Sequence, residues 1–455
     1  MDCDELYISF LFPPSDYVSG ITVFKRIAEN NRKVDVLQSN FKSDDLIEFN
    51  QYVDEYINDR IIIDIDCKFD WSDCIFKFVN KGIKAIKKDY KKIYSRSWLM
   101  SNHFLAFEYK LTHPEVFWCA EFSDPLIYDL SNNPKKYKQM IINDDEYISK
   151  INHHIDIYNK NKGTDYPLID KNPSAYYVAE YLVYLFSDEI IFTNLNQQRI
   201  MLYQFSVDIE QLVLSKSKIK QHPTLDSKFY RISDCDLDLN ENDINIAYFG
   251  NDYYSKRHFE SLFFAVESLN HKYKNKLHIH LYISDDGLVK KLIPSDIFEV
   301  KKTLNFLDFL NATTKYDVLI VNDVLTKGNY GLNPYLPSKL SDYIGSGSDI
   351  WALYEPGSSL SKFDLKYRSD IYDYTACRCE LIRILEDYGF KDYDYTVNDD
   401  YFIQRLTDFN ELYEKEFKRG LKLERKVKKL KKENDEIKSS NSWKITKPLR
   451  RLKNK

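Results

Sequence analysis

The chain's best chemical candidates are Ser338 and Lys339, which follow Pro337 in the stretch NYGLNPYLPSKLSDYIGSGSDIWALYEPGSSLSK, residues 329–362. Proline suits a first helical turn, where its missing N–H is no loss. A helix starting at PSK would place a hydroxyl and an ammonium beside free backbone N–H groups. Such an end carries about half a positive charge and binds phosphates readily. Leu340, Tyr343 and Ile344 share one face at helical spacing, and Gly345 and Gly347 stop the helix. Asp349–Tyr354 (DIWALY) reads as a short buried strand and EPGSS as a polar turn opening toward another helix. Five of the twelve glycines (Gly328, Gly331, Gly345, Gly347, Gly357) fall within thirty positions, 328–357, where the backbone needs them. An ordinary α/β turn with surface Ser and Lys has the same composition, so the surrounding elements must decide.

Other chemistries find little support. No G-x-G-x-x-G follows the first strand of either half and no Walker A motif is present, which counts against a dinucleotide dehydrogenase and an ATPase. The seven cysteines are dispersed, Cys377 and Cys379 form CxC, and no His pair has zinc spacing. His153–His154, His222 and Asp285–Asp286 have no metal-ligand spacing either. Dispersed thiols fit a reducing cytosol. The acidic start MDCDELYISFLF has the wrong charge for a signal peptide, and no apolar run nears ~18 residues. The expected location is cytoplasmic.

At 455 residues the chain suggests two or three domains. LYISFLF (6–12) reads as a first strand, ITVFKRIAENN as a helix and KVDVLQSN (33–40) as a second strand. Ser19 and Gly20 lie on the loop between, expected near phosphates from the side opposite Ser338. WSDCIFKFVNKGIKAIKKDY and NHFLAFEYKL read as helices, and KKIYSRS and VFWCAEFSDP as strands. These alternations argue for a mostly parallel sheet in a domain spanning 1–232, with a helical insertion at about 130–180. The run 234–243, DCDLDLNEND, marks a linker. The alternation restarts in a second Rossmann-like half, 243–400, whose terminal helices are expected within 366–389.

From 401 to 455 the pattern is one long helix and a basic tail. Sixteen Lys/Arg stand against four Asp/Glu between Lys418 and Lys455, so the tail is a separate electrostatic object. Heptad spacing over 406–437 suggests a coiled-coil homodimer, although Glu416 and Gly420 interrupt the seam. The tail could hold the protein at an anionic membrane face. A nucleic-acid partner is not expected, because no stacking platform accompanies it.

The second half resembles the nucleotide-sugar domain of GT-B glycosyltransferases, especially family 4-like enzymes of bacterial surface-polysaccharide synthesis. The matching pieces are IAYFGN…KRHFESLFFAVESL, YDVLIVND and NPYLPSKLSDYIGSGSDIWAL. The first half looks like the acceptor-side partner in FPPSDYVSGITVFKRI, IYSRS and WCAEFSDPL, and SNSWKITKPLRR is similar to a tail of such enzymes. The resemblance implies an α/β GT-B fold: two Rossmann-like domains facing across a cleft, with a C-terminal helical coiled-coil tail. It implies a nucleotide-sugar donor and a glycan, lipid-linked or protein acceptor. Lys256 or Arg257, Ser338 and Lys339 would contact the diphosphate, Gly250 would allow close approach, and Asp342 would face the ribose or sugar. No cofactor is implied, and no DxD motif indicates a metal.

The sequence also departs from that pattern. Family 4 enzymes often carry two Glu seven residues apart before this helix and a His at the level of Ser123; neither is here. Glu121 and Asp124 are the nearest carboxylates at a strand end, where an acceptor hydroxyl could meet them. An ion-pair role for Glu121 and a helix cap for Asp124 fit equally well, and His103 fits capping or packing. The alternatives to a transferase are a non-catalytic scaffold of a glycan-assembly complex and a nucleotide-sugar epimerase.

Overall fold

The computed structural model describes residues 3–42, 46–67, 72–130, 132, 140–250, 259–283, 297–391, 404, 407 and 411. The first half contains β1 (Glu5–Ile8), α1 (Val18–Asn30), β2 (Val34–Ser39), α2 (Ile47–Asp54), β3 (Ile57–Ile63), α3 (Ser72–Ala85) and β4 (Lys92–Ser97). It continues with α4 (Ser101–Thr112), β5 (Phe117–Phe122), α5 (Asp145–Lys162), α6 (Ala175–Phe186) and β6 (Glu189–Phe192). Helices α7 (Leu195–Leu202) and α8 (Val207–Lys216) and strand β7 (Ser217–Ile219) complete it. The seven strands run parallel in the order β3-β2-β1-β4-β5-β6-β7. Buried β5 (FWCAEF) is a near-continuous apolar run, whereas half of the equally buried β2 (VDVLQS) is polar and needs partners: Asp35 accepts from Asn58 and from the Tyr90 hydroxyl, each at 2.7 Å.

The second half opens with β8 (Ile244–Phe249), α9 (Glu260–Glu267), α10 (His271–Lys274), β9 (Leu277–Tyr282) and β10 (Phe298–Lys301). It continues with α11 (Phe306–Thr313), β11 (Val318–Asn322), α12 (Lys339–Ser346), β12 (Asp349–Tyr354), β13 (Tyr367–Asp370) and α13 (Tyr374–Asp387). Its six parallel strands take the order β10-β9-β8-β11-β12-β13. Both sheets thus reverse direction between their first and fourth strands, the doubly wound pattern whose ligand crevice lies beyond the strand carboxyl ends. The two domains face each other across a cleft, the GT-B arrangement that the resemblance implies. Apart from Thr407 and Glu411, the heptad run lies outside the described residues, as does the basic tail.

One core joins the halves. Phe24, Phe49 and Phe229 pack with Phe249, Phe309 and Tyr343 in a single buried cluster, and the Phe49 and Phe306 rings meet at 5.0 Å. Side-chain amides bolt the rim: Asn194 donates to the Pro334 carbonyl, and Asn196 to those of Asn333 and Gly357.

Two local expectations are corrected. Tyr367–Asp370 is a strand, paired along β12 from Trp351 to Tyr354, where terminal helices are expected. Four residues with two charges show no alternation; the pairing comes from the neighbouring edge. EPGSS leads to a single 3-10 turn, Leu360–Lys362, and not to an α-helix.

Gly20 lies in the first turn of α1, not on a loop. A Cβ there would stand 1.7 Å from the Leu11 carbonyl oxygen, so glycine lets α1 lie against the β1 exit. Gly20→Ala should therefore destabilise the fold by about 3 kcal/mol, at the upper end of overpacking costs. The check is a urea midpoint that falls while the m-value stays constant. An unchanged midpoint would refute the packing role.

Candidate functional site

The cleft encloses about 290 Å³ and is walled by both domains. Val18, Ile21, Thr22 and Lys25 line it from one face of α1, at the i, i+3, i+4, i+7 spacing of a helix stripe, joined by Asp16 and Leu46. Opposite stand Phe249, Gly250, Tyr282, Thr303, Leu304, Asn305, Phe306, Phe309, Ser338, Lys339 and Asp342.

The second-domain wall is aromatic with a polar end. Phe249 closes β8 and stacks on Tyr282 of the neighbouring β9 at 4.5 Å and 13°. Phe309 meets Phe249 edge-on at 5.2 Å, and the Tyr343 hydroxyl accepts the Phe249 backbone N–H at 3.1 Å. The wall is therefore apolar and aromatic. At the far end Ser338 occupies the N-cap position of α12, where its hydroxyl caps no backbone N–H. The Lys339 ammonium lies 5.7 Å above the Phe309 ring. Anion-binding groups and an aromatic wall therefore share one cavity.

Ser338, Lys339, Gly250 and Asp342 all line this cavity. Asp342, expected to face the donor, is instead held by the first domain. Its Oδ1 accepts from Lys25 Nζ at 2.5 Å, with side chains only 4% and 7% exposed. The Tyr230 hydroxyl donates to its carbonyl at 2.8 Å, and Thr224 Oγ1 to that of Ser341 at 3.0 Å. Gly250 is tight for an internal reason: a Cβ would stand 2.3 Å from the Tyr248 hydroxyl. Lys256 and Arg257 lie outside the described residues. Ser19 and Gly20 are absent from the cavity wall, because they occupy another face of α1; Ser19 Oγ accepts from Arg96 Nη1 at 3.0 Å.

Glu121 does not fit a general base. It is fully buried, and Arg26 Nε and the Tyr94 hydroxyl each donate to Oε2 at 2.8 Å, while Arg96 Nε donates to Oε1 at 3.1 Å. Burial alone would raise its pKa, but the Arg26 and Arg96 charges outweigh that and hold it at about 2. The carboxylate is a structural anion beneath α1. Arg26 extends the clamp to the segment after β7, donating from Nη2 to the carbonyls of Lys220 at 2.9 Å and Gln221 at 2.6 Å. Asp124 is half-buried, near enough to Tyr335 to contribute, after burial, to raising that phenol's pKa.

His103 packs in the core. Its Nδ1 lies 2.8 Å from Ser95 Oγ, which accepts from Trp118 Nε1, also at 2.8 Å. Burial first and the Arg96 charge second depress its pKa to about 3, so it is neutral. Burial and Arg96 likewise hold His222, just after β7, at about 3.

Sequence reasoning missed Asp16. It lines the cleft mouth, solvent-exposed, and among the described residues it makes no ion pair. SDYV at a strand-to-helix junction signals a turn, not which way its carboxylate faces. Among the described residues no cluster of His, Cys, Asp or Glu could hold a metal ion, and no helix is long and apolar enough to cross a membrane.

No protein-family model and no curated protein matches the chain. Among solved structures it is similar to a UDP-forming α,α-trehalose-phosphate synthase from Burkholderia xenovorans in complex with glucose-6-phosphate. Identity is 8% over 92% of this chain and 100% of that one, with a TM-score of 0.49. An α-glucosyltransferase in complex with UDP and DNA shows 11% identity over 90% and 99% of the two chains, TM-score 0.47. A putative UDP-N-acetylglucosamine 2-epimerase from Listeria monocytogenes shows 9% identity over 90% and 95%, TM-score 0.44.

Proposed function

We propose that the chain is a GT-B glycosyltransferase that moves a sugar from a nucleotide-sugar donor to a growing glycan, lipid-linked or protein-linked, in cell-surface polysaccharide synthesis. One observation carries the reading: the interdomain cavity joins an aromatic wall to the N-terminus of α12 with Ser338 and Lys339. A nucleoside diphosphate has the complementary form, a planar base at one end and phosphate oxygens at the other. In transfer the sugar's anomeric C–O bond to the diphosphate breaks, and negative charge grows on the departing oxygen. Fixed N–H groups, a hydroxyl and an ammonium stabilise that charge as it develops. The acceptor enters from the first-domain side, where Asp16 faces the cleft.

A thermal-shift screen against UDP-, GDP-, dTDP- and CMP-sugars tests the donor pocket. A ligand at about 100 times its dissociation constant adds ~2.7 kcal/mol, raising the melting temperature by several degrees. A response to one base is expected. Silence across all four would contradict the proposal and favour a scaffold that keeps the fold without transfer. The Lys25–Asp342 bridge, which uses both charges inside the cleft, is the observation behind that second reading.

A further inference from the structure

We propose that Tyr17 and Trp98 form a stacking platform for an uncharged pyranose ring of the acceptor saccharide, with Asp16 accepting a hydrogen bond from one of its hydroxyls. That this saccharide is an acceptor rests on the transferase reading above. Tyr17 follows β1 and Trp98 follows β4, and these strands are parallel neighbours in register from Glu5–Lys92 to Ile8–Ser95. Their exit loops therefore leave side by side where the strand order reverses, the place at which doubly wound sheets take ligands. The two rings lie 5.7 Å apart, tilted by 31°. They are 38% and 42% exposed, whereas Trp118 and Trp351 are fully buried in the two cores. An exposed aromatic pair is the informative exception to burial, because leaving such area in water forgoes its stabilisation.

Position and chemistry then select the ligand. Asp16 and Val18, on either side of Tyr17, line the cleft, so the platform borders the cavity on the wall opposite Ser338 and Lys339. A pyranose has an apolar C–H face that meets the electron-rich face of an aromatic ring, and hydroxyls around its edge for a carboxylate. The exposed Asp16 carboxylate repels phosphate, which favours a neutral sugar over a phosphorylated or nucleotide ligand at this position.

The test applies the full chain to an array of neutral hexose, N-acetylhexosamine and deoxyhexose oligosaccharides, alongside the nucleotide-sugar thermal shift. The wild type should bind one structural class. Trp98→Ala and Tyr17→Ala should each weaken that binding by roughly tenfold, and Trp98→Phe should retain most of it. Each side chain is more than half buried, so the alanine variants should melt somewhat lower, while Trp98→Phe and all nucleotide-sugar responses should stay near wild-type values. Saccharide binding equal in wild type and alanine variants would overturn the platform, as would no binding by the wild type. Silence toward nucleotide-sugars would instead remove the transferase reading and leave the platform to be judged on the array alone.

Discussion

Glu121→Ala is expected to lower stability by roughly 3–5 kcal/mol, the cost of removing one partner from a buried ion pair. The substitution strands the Arg26 and Arg96 guanidiniums, whose side chains are each 3% exposed, with no carboxylate between them. Arg26 would keep the Lys220 and Gln221 carbonyls and the half-exposed Glu29 carboxylate at 3.5 Å, and Arg96 its bond to Ser19, so the loss is chiefly of buried charge compensation, not of every hydrogen bond. At roughly 2–4 °C per kcal/mol for a domain of this size, the melting temperature should fall by about 10 °C. Glu121→Gln keeps the shape but not the charge and should destabilise as well. A catalytic base would behave differently, with Glu121→Gln folding at wild-type stability and losing turnover alone. Calorimetry of the two variants separates these outcomes.

The same cluster sets an acid limit. Glu121 sits at about 2 in the fold against an ordinary 4.5, so its contribution is complete above pH ~4.5 and lost as pH falls toward 2. His103 and His222 are held at about 3 against an ordinary 6.5. The unfolded chain binds their protons first, so they withdraw stability from pH ~6.5 downward. Stability should accordingly decline in two overlapping stages on acidification. His103→Phe should flatten the upper stage, measured as denaturation midpoint against pH; an unchanged slope would contradict buried neutrality.

The second large effect concerns the bridge between domains. Lys25→Ala or Asp342→Ala leaves the other charge buried and should cost about 3 kcal/mol or more. Replacing both, as in Lys25→Met with Asp342→Leu, should recover much of that loss, because neither charge is then stranded. A double-mutant cycle on urea midpoints reads the coupling directly; ~1–3 kcal/mol is expected for side chains in contact. Near-additive losses would mean that the bridge contributes nothing to holding the cleft.

Most of the parallel alternation is legible in the sequence, since buried strands such as INIAYF and DVLIVN are apolar runs and α12 begins at a Pro-Ser-Lys signal. The short edge strands β3 and β13 are not. INDRIII exposes or half-exposes all but its end residues, and YRSD gains its strand conformation by pairing with β12. The site divides in the same way. Ser338 and Lys339 announce themselves by a local helix start. Glu121 at the end of β5 looks alike as base or ion-pair partner, because Arg26 and Arg96 come from distant segments. Asp342 is similar: its partner Lys25 is 317 residues away. The pairing of Tyr17 with Trp98 at the cleft joins segments 81 residues apart and has no local sequence signal.

The central claim is that the N-terminus of α12 grips the donor's diphosphate. The direct measurement is calorimetric affinity for the responding nucleotide-sugar in wild type, Ser338→Ala and Lys339→Ala. Loss of a charge-assisted contact is expected to weaken binding by roughly tenfold or more in Lys339→Ala, with a smaller loss in Ser338→Ala. Wild-type affinity in both variants would place the diphosphate elsewhere and contradict the account.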